Sequence, residues 1–501
     1  MIRTAAQYLR SLNDGRVLYF NGERVSDPAK HPLLKRQCTG DVLGYTFVNH
    51  PKYRDQVTVV EDGERSMFLW NQPKTVEDMI KRREIYTTMR RISASVSAVG
   101  VDSLAAAGLV ATKMDKMLGT HYMDAVDDYR DHIKKTDPIL SGAITDVKGN
   151  RSLRPGEQEQ HKDFYVRVVD RQKDGIIVRG AKMFISGTGT SNEAIVQPCR
   201  THREEDSDCV VVFATPLNAK GISLIISPPD FQELDDKEAA WNWPESAVKG
   251  GHTECMVIFD DVFVPWNRVF MCGEWQFGRD IARTFGKFHR LFGSVRSSVD
   301  LELLVGTAAL LAEYNGLDRY PHIQEKLAWL TYHAETVVAL SRAACMNPDF
   351  DEETGLPIPS QFYINIAKYK FANDAAEASK LAADICGGII SSVPNYRDWS
   401  NPEMRTIFDK YLAAKAGIPT EHRLRAVRLL KDLTAFNRDQ TQIHAEGSLM
   451  AQKMMLYAGG DWERYKAAAK RVAGIPGWET HDVFKDLVEF EPDKVLQELD
   501  F

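Results

Sequence analysis

A chain of 501 residues is too long to close around one core and implies two or three domains that together bury a large apolar interior. Its 44% hydrophobic and 27% charged composition is that of an ordinary globular protein, and a net charge of −7 leaves no cationic footprint for nucleic acid. No apolar run approaches the roughly 20 residues that span a bilayer, the segment from Met1 to Asp14 lacks the regions of a signal peptide, and the seven cysteines are scattered without a CxxC pair. These features predict a cytoplasmic protein with free thiols and neither a zinc motif nor an iron–sulfur motif.

From Val76 to about Lys135 the chain is rich in Ala, Met, Arg and Lys, and Leu104-Ala-Ala-Ala-Gly-Leu-Val-Ala-Thr-Lys-Met spaces apolar residues as a helix does, so the first third reads as a helical domain. After Asp137-Pro138 short β-branched runs follow one another, at Phe164 to Asp170, Gly175 to Gly180, Ala194 to Gln197, Cys209 to Ala214 and Met256 to Asp260, divided by Gly, Asp, Asn and Pro. That texture predicts a β domain of five or more strands. Beyond Trp275 four amphipathic stretches, around 296–315, 321–347, 360–386 and 422–455, predict a helical bundle. The expected boundaries are 1–140, 141–278 and 279–474, with a tail from 475 to 501. Helices, then strands, then helices is not the alternation of a doubly wound sheet, and no GxGxxG joins a strand to a helix, so a Rossmann site is not expected.

Four segments carry candidate chemistry. Leu140 to Arg151 crowds Gly142, Ala143, Ile144, Asp146, Lys148, Gly149, Asn150 and Arg151 into the helix-to-strand boundary; small residues admit a planar ring and cations neutralise a diphosphate, although a polar interdomain loop has the same composition. Ser186, Gly187 and Thr188 end a strand with hydroxyls and free N–H groups that suit a flavin edge or, as simply, a hairpin turn. His289 and Arg290 lie among aromatics near the start of the bundle, where an imidazole serves as a general base or as a packed core residue. His444, Glu446, Gly447, Ser448 and Leu449 mark a break before the last helix, at a capping turn or beside a cofactor.

With Tyr8-Leu-Arg-Ser-Leu, Gly142-Ala-Ile-Thr-Asp-Val-Lys-Gly-Asn-Arg, Asp174-Gly-Ile-Ile-Val-Arg-Gly-Ala-Lys, Val257-Ile-Phe-Asp-Asp-Val-Phe-Val-Pro-Trp, Ala312-Glu-Tyr-Asn-Gly and Ala383-Asp-Ile-Cys-Gly-Gly, the chain resembles one flavoprotein family from Thr4 to about Gly474. That family joins the oxygenase component of 4-hydroxyphenylacetate 3-monooxygenase with 4-hydroxybutyryl-CoA dehydratase. The resemblance implies an α+β, acyl-CoA-dehydrogenase-like fold with an N-terminal helical domain, a middle β-barrel and a C-terminal four-helix bundle. It also implies a homotetramer with FAD between β domain and bundle. Gly142 to Ile144, Asp146, Lys148 to Arg151, Ser186 to Thr188 and Glu446 to Leu449 then become flavin contacts.

The departures from the family sharpen the expectation. The dehydratases hold a [4Fe–4S] cluster on three cysteines and a histidine; His289 matches the histidine, but Ala94, Ala98 and Arg296 stand at the cysteine positions, and without thiolates that cluster is not held. The hydroxylases surround the phenol with Arg, Tyr and His, where this chain has Val99, Ser103 and Gly142. The leading expectation is the oxygenase component of a two-component monooxygenase, hydroxylating an aromatic other than 4-hydroxyphenylacetate with reduced FAD from a partner reductase. His289, Arg290 and His444 are its catalytic candidates. The alternative is an FAD enzyme acting on a CoA thioester, with His289 or Glu446 removing a proton; a scaffold that has lost its cofactor comes third.

Overall fold

The computed structural model describes residues 2–95, 97–227, 234–248, 253–434 and 443–485. Contacts divide the chain into a large unit, Met1–Leu449, and a small one, Met450–Phe501. In the small unit helix Trp462–Val472 is capped by the Asp461 side chain, which accepts from Arg464 N.

The large unit opens with a feature the helical reading did not include. β1 (Val17–Phe20) and β2 (Glu23–Val25) form a hairpin across Asn21 and Gly22, both at positive φ, which matches the twist of the flanking strands. A second hairpin, β3 (Thr58–Glu61) and β4 (Glu64–Met67), precedes the expected helices Val76–Arg91, Ala98–Leu118 and Tyr122–Thr136. The strands that follow are β5 (Leu140–Ala143), β6 (Arg167–Arg171), β7 (Gly175–Ser186), β8 (Glu193–Val196), β9 (Val211–Pro216), β10 (Ile222–Ile226), β11 (Glu254–Pro265) and β12 (Val269–Cys272).

These strands do not close into the expected barrel. They form a six-stranded sheet in the order β2-β1-β10-β11-β7-β6 and a four-stranded sheet in the order β12-β9-β8-β5. Among the described residues both ladders are open, with β2, β6, β12 and β5 at their edges, and a single bridge from Asp146 to Lys182 joins the end of β5 to β7. Val178, Val257 and Leu224 from the larger sheet share a core with Ala143, Val196 and Phe213 from the smaller, the arrangement of a sandwich. The N-terminal hairpin enters the larger sheet because β1 pairs in parallel with β10.

The bundle is built on one long helix, Gly278–Tyr314, against which Pro321–Met346, Gln361–Asn373, Ala375–Cys386 and Thr420–Thr434 pack. Leu304, Leu311, Leu330, Val337, Phe371, Leu424 and Leu430 meet in its core. The stretch expected as one helix over 360–386 breaks at Asp374. The fourth expected helix ends at Thr434; residues 435–442 lie outside the described residues, and a turn at Glu446 and Gly447, both at positive φ, precedes the next helix, Leu449–Gly459. No described helix is long and apolar enough to cross a membrane.

Candidate functional site

The site is organised by a carboxylate that the periodicity of Ala98–Leu118 hides. Asp102 is fully buried on that apolar helix. It accepts from Arg82 Nη2 at 2.9 Å and from the Tyr86 hydroxyl at 2.7 Å, and its other oxygen lies 3.0 Å from His289 Nδ1. Arg82 is itself buried. Burial opposes its charge, but Tyr86 and Asp102 outweigh that and raise its pKa. A carboxylate only accepts, so Nδ1 of His289 carries the hydrogen and Nε2 presents the lone pair, the tautomer of a general base. Phe285 and Phe292 lie on either side of the imidazole with ring centroids at 5.1 and 5.8 Å.

His289, Gly293 and Arg296 are spaced i, i+4, i+7 and so share one face of the long helix. The turn at Glu446 closes on that face. The Glu446 side chain is 3% exposed, Arg296 Nη2 lies 3.3 Å from its Oε1, and Lys368 Nζ of helix Gln361–Asn373 is 3.8 Å from its Oε2. Arg290 Nε donates to the Glu446 carbonyl at 3.0 Å. Burial opposes charge on Glu446, yet Arg296, Lys368, His289 and Arg290 outweigh it and hold the carboxyl below its usual pKa. Burial in turn lowers Lys368 to about 8, with Glu446 pulling it back up, and lowers Arg290 to about 10. The Glu446 carboxylate closes on the bare backbone of Gly293: a Cβ there would sit 2.5 Å from its Cδ. His444 is exposed and joins no described contact of this cluster.

A second wall lies at the carboxyl ends of β5 and β8, which run parallel. A Cβ at Gly142 would lie 2.6 Å from Val99 Cγ1 and 2.7 Å from Ser103 Oγ. The three positions where the hydroxylases carry Arg, Tyr and His are therefore brought together, but packed so tightly that the backbone at 142 has no room for an imidazole. Ala143 is buried in the sheet core. The Ile144 carbonyl accepts from Lys182 Nζ at 2.9 Å, and Asp146 pairs with the same amine at 2.7 Å, so Asp146 is spent inside the protein. Lys148 and Gly149 turn at positive φ, the Asn150 amide donates to Gln158 Oε1, and Arg151 stands exposed at the surface. Ser186 donates to Glu254, Gly187 turns at φ 68°, and Thr188 is buried with its hydroxyl on the Ile185 carbonyl. Ser448 is exposed, and Leu449 packs against the bundle core.

The sequence segments thus fall into two groups. Leu140 to Arg151 and Ser186 to Thr188 are linked along β7, since Met183 N donates to the Thr145 carbonyl, while Glu446 belongs with His289 and Arg290. The helix bearing Val99, Asp102 and Ser103 serves both, through Gly142 on one side and His289 on the other. Asp102, Tyr86, Arg82 and Lys368 are not singled out by the sequence pattern; a charged Asp102 in the otherwise small and apolar first half of the helix Ala98–Leu118 is the available signal. His202 was also missed. It is 4% exposed, neither ring nitrogen is hydrogen-bonded among the described residues, and burial lowers its pKa to about 4.

Flavin fits these walls: orphaned buried polar atoms at the end of β8, a tight glycine turn and an exposed guanidinium are the groups a ring edge and a diphosphate need. An iron–sulfur cluster does not fit. Alanines occupy two of the matched positions, and the third, Arg296, is engaged with Glu446.

Residues 4–271 match the description "4-hydroxyphenylacetate 3-hydroxylase N terminal" and residues 279–474 its C-terminal counterpart. The chain is 30% identical over 493 residues to the 4-hydroxybutyryl-CoA dehydratase/vinylacetyl-CoA-Δ-isomerase of Clostridium aminobutyricum, covering 95% of this chain and 100% of that protein. Among solved structures, the oxygen-tolerant archaeal 4-hydroxybutyryl-CoA dehydratase from N. maritimus superposes with a TM-score of 0.87 at 26% identity, over 95% of this chain and 96% of that one. The oxygenase component of 4-hydroxyphenylacetate 3-monooxygenase complexed with FAD superposes at 0.81 and 23% identity, over 94% and 98%. The fold is thus acyl-CoA-dehydrogenase-like, and the chain belongs to the 4-hydroxyphenylacetate 3-hydroxylase family of enzymes.

Proposed function

We propose that the protein is a flavin-dependent enzyme in which His289, held by Asp102, moves a proton on the carbon skeleton of a CoA thioester and shifts a double bond along it. The observation that carries this reading is the 3.0 Å contact between His289 Nδ1 and a carboxylate shut away from water. Such a pair fixes the tautomer and stabilises the imidazolium that forms when Nε2 takes a proton. Returning that proton at the far end of the allylic system leaves the substrate isomerised with nothing oxidised or reduced. Arg296 and Lys368 provide the positive potential that favours the intervening negative charge. The extended similarity to a dehydratase/Δ-isomerase supports the substrate class. A bound flavin would supply a redox-active ring beside the acidified carbon. Gln197, Arg151, Lys148 and the turn at Ser186 to Thr188 are the groups to hold it.

From the sequence alone hydroxylation stands first and thioester chemistry second; the buried Asp102–His289 pair supports the reverse order. Hydroxylation of an aromatic with reduced FAD and oxygen stands as the second reading, favoured by the family's hydroxylase description, and it would call for a partner reductase. Homotetrameric assembly belongs to either reading and is checked by light scattering.

The test is incubation of the FAD-loaded protein with vinylacetyl-CoA in D2O under nitrogen. Deuterium entering the product, and its loss in His289→Asn, supports the first reading. No exchange without oxygen, together with oxygen-dependent consumption of a phenol by protein plus reduced FAD, replaces it with the second.

A further inference from the structure

Gln197 is the first residue beyond β8, beside the end of its parallel partner β5. Its backbone is fixed from both sides: the amide donates to the Ala143 carbonyl at 3.2 Å, and the carbonyl accepts from Lys182 Nζ at 2.8 Å. Side chains alternate along a strand. Val196 joins the core between the two sheets, whereas Ile195 joins the core of the N-terminal helices, so Gln197, in step with Ile195, faces the helices. It therefore lies on the same face as Gly142, the residue paired with Ile195.

That side chain is fully buried, and among the described residues neither Oε1 nor Nε2 has a hydrogen-bond partner. Leaving both ends of a carboxamide unpaired in the interior is costly, and native proteins rarely do so without a bound group to satisfy them. A carboxamide presents one acceptor and one donor side by side in a plane. It pairs in two-point fashion with a ligand edge that sets a ring N–H beside a ring carbonyl, the pattern of the pyrimidine half of an isoalloxazine. The neighbouring cation, Lys182, is already engaged by Asp146, Ile144 and the Gln197 carbonyl, which leaves a neutral recognition surface for a neutral edge.

We propose that Gln197 grips the pyrimidine edge of the flavin, its Oε1 accepting from ring N3–H and its Nε2 donating to the adjacent ring carbonyl. This rests on the reading of the chain as a flavin enzyme and adds the residue that selects the ring.

The full-length apoprotein and Gln197→Leu are titrated with FAD, FMN and 3-methyl-FAD by flavin fluorescence, and the two apoproteins are melted in parallel. Expected are a loss of about tenfold or more in affinity of Gln197→Leu for both FAD and FMN, and an apoprotein melting point equal to or above wild type, because an orphaned amide has been removed. Wild type should also disfavour 3-methyl-FAD by a similar factor, and Gln197→Leu should not. Unchanged FAD affinity, or a destabilised apoprotein with flavin binding intact, overturns the inference in favour of a structural amide. A loss seen with FAD but not FMN overturns it in favour of the adenine edge. If wild type binds no flavin at all, the functional reading falls and this inference with it; if wild type binds and only the Gln197→Leu pattern fails, the functional reading stands.

Discussion

Replacing Lys368 with Met gives a quantitative check on the buried charge cluster. Burial lowers the folded Lys368 to about 8, against 10.5 for an ordinary lysine. Between those pH values the unfolded chain holds the proton and the folded chain does not, so this residue makes stability rise with pH, at about 1.4 kcal/mol per pH unit. Across the window that is about 3 kcal/mol: a cost of burying the ammonium that is fully present below pH 8 and gone above 10.5. Lys368 is fully buried, so solvent screening does not reduce it. Cys38, Cys209, Cys255 and Cys345, whose thiols burial raises to about 12, act with the opposite sign, because the folded state keeps those protons longer. The difference between wild type and Lys368→Met cancels them. Glu446 is not stranded in the variant, since Arg296 remains 3.3 Å from it. Denaturant unfolding of both proteins across the window should show a difference that changes by about 3 kcal/mol in favour of wild type as pH rises. A difference that does not vary with pH, or varies the other way, refutes the account of the cluster.

Asp102→Asn should lower proton exchange by two orders of magnitude or more and, because it leaves Arg82 buried beside a neutral amide, cost about 3–5 kcal/mol of stability; His289→Asn should match the first loss without the second, as read by exchange assay and denaturation together. Gly142→Ala should destabilise by about 1–3 kcal/mol, because its Cβ meets Val99 and Ser103 at under 3 Å; a neutral substitution would show that helix and strand can part. Phe184, at φ 61° in the bulge of β7 opposite Met256 and 62% exposed, should tolerate Gly with a stability gain of about 1 kcal/mol, measured by thermal unfolding.

The chain's own residues announced the long bundle helices and most of the middle strands, because helical and strand periods are local properties. The turn at Ser186 to Thr188 was one of the two readings its residues allow, whereas the positive φ of Lys148 and Gly149 within a polar connector was not expected. The first hairpin has a local signal, Asn21-Gly22 between apolar residues, but its strands are short and the longer helical texture from Val76 onward dominates the N-terminal third. Barrel closure was not legible, since it depends on whether edge strands find each other across the fold.

The sequence by itself determined the family, the loss of thiolates at 94, 98 and 296, and the placing of His289 on a bundle helix. Only the tertiary structure decided what His289 touches. Its partner Asp102 is 187 residues away, and Glu446 reaches the same helix from a turn 150 residues beyond Arg296. Lys368 and Gln197 show why: each is an ordinary polar residue in its own segment, and its unusual environment arises only from being sealed from water among groups that no local pattern brings together.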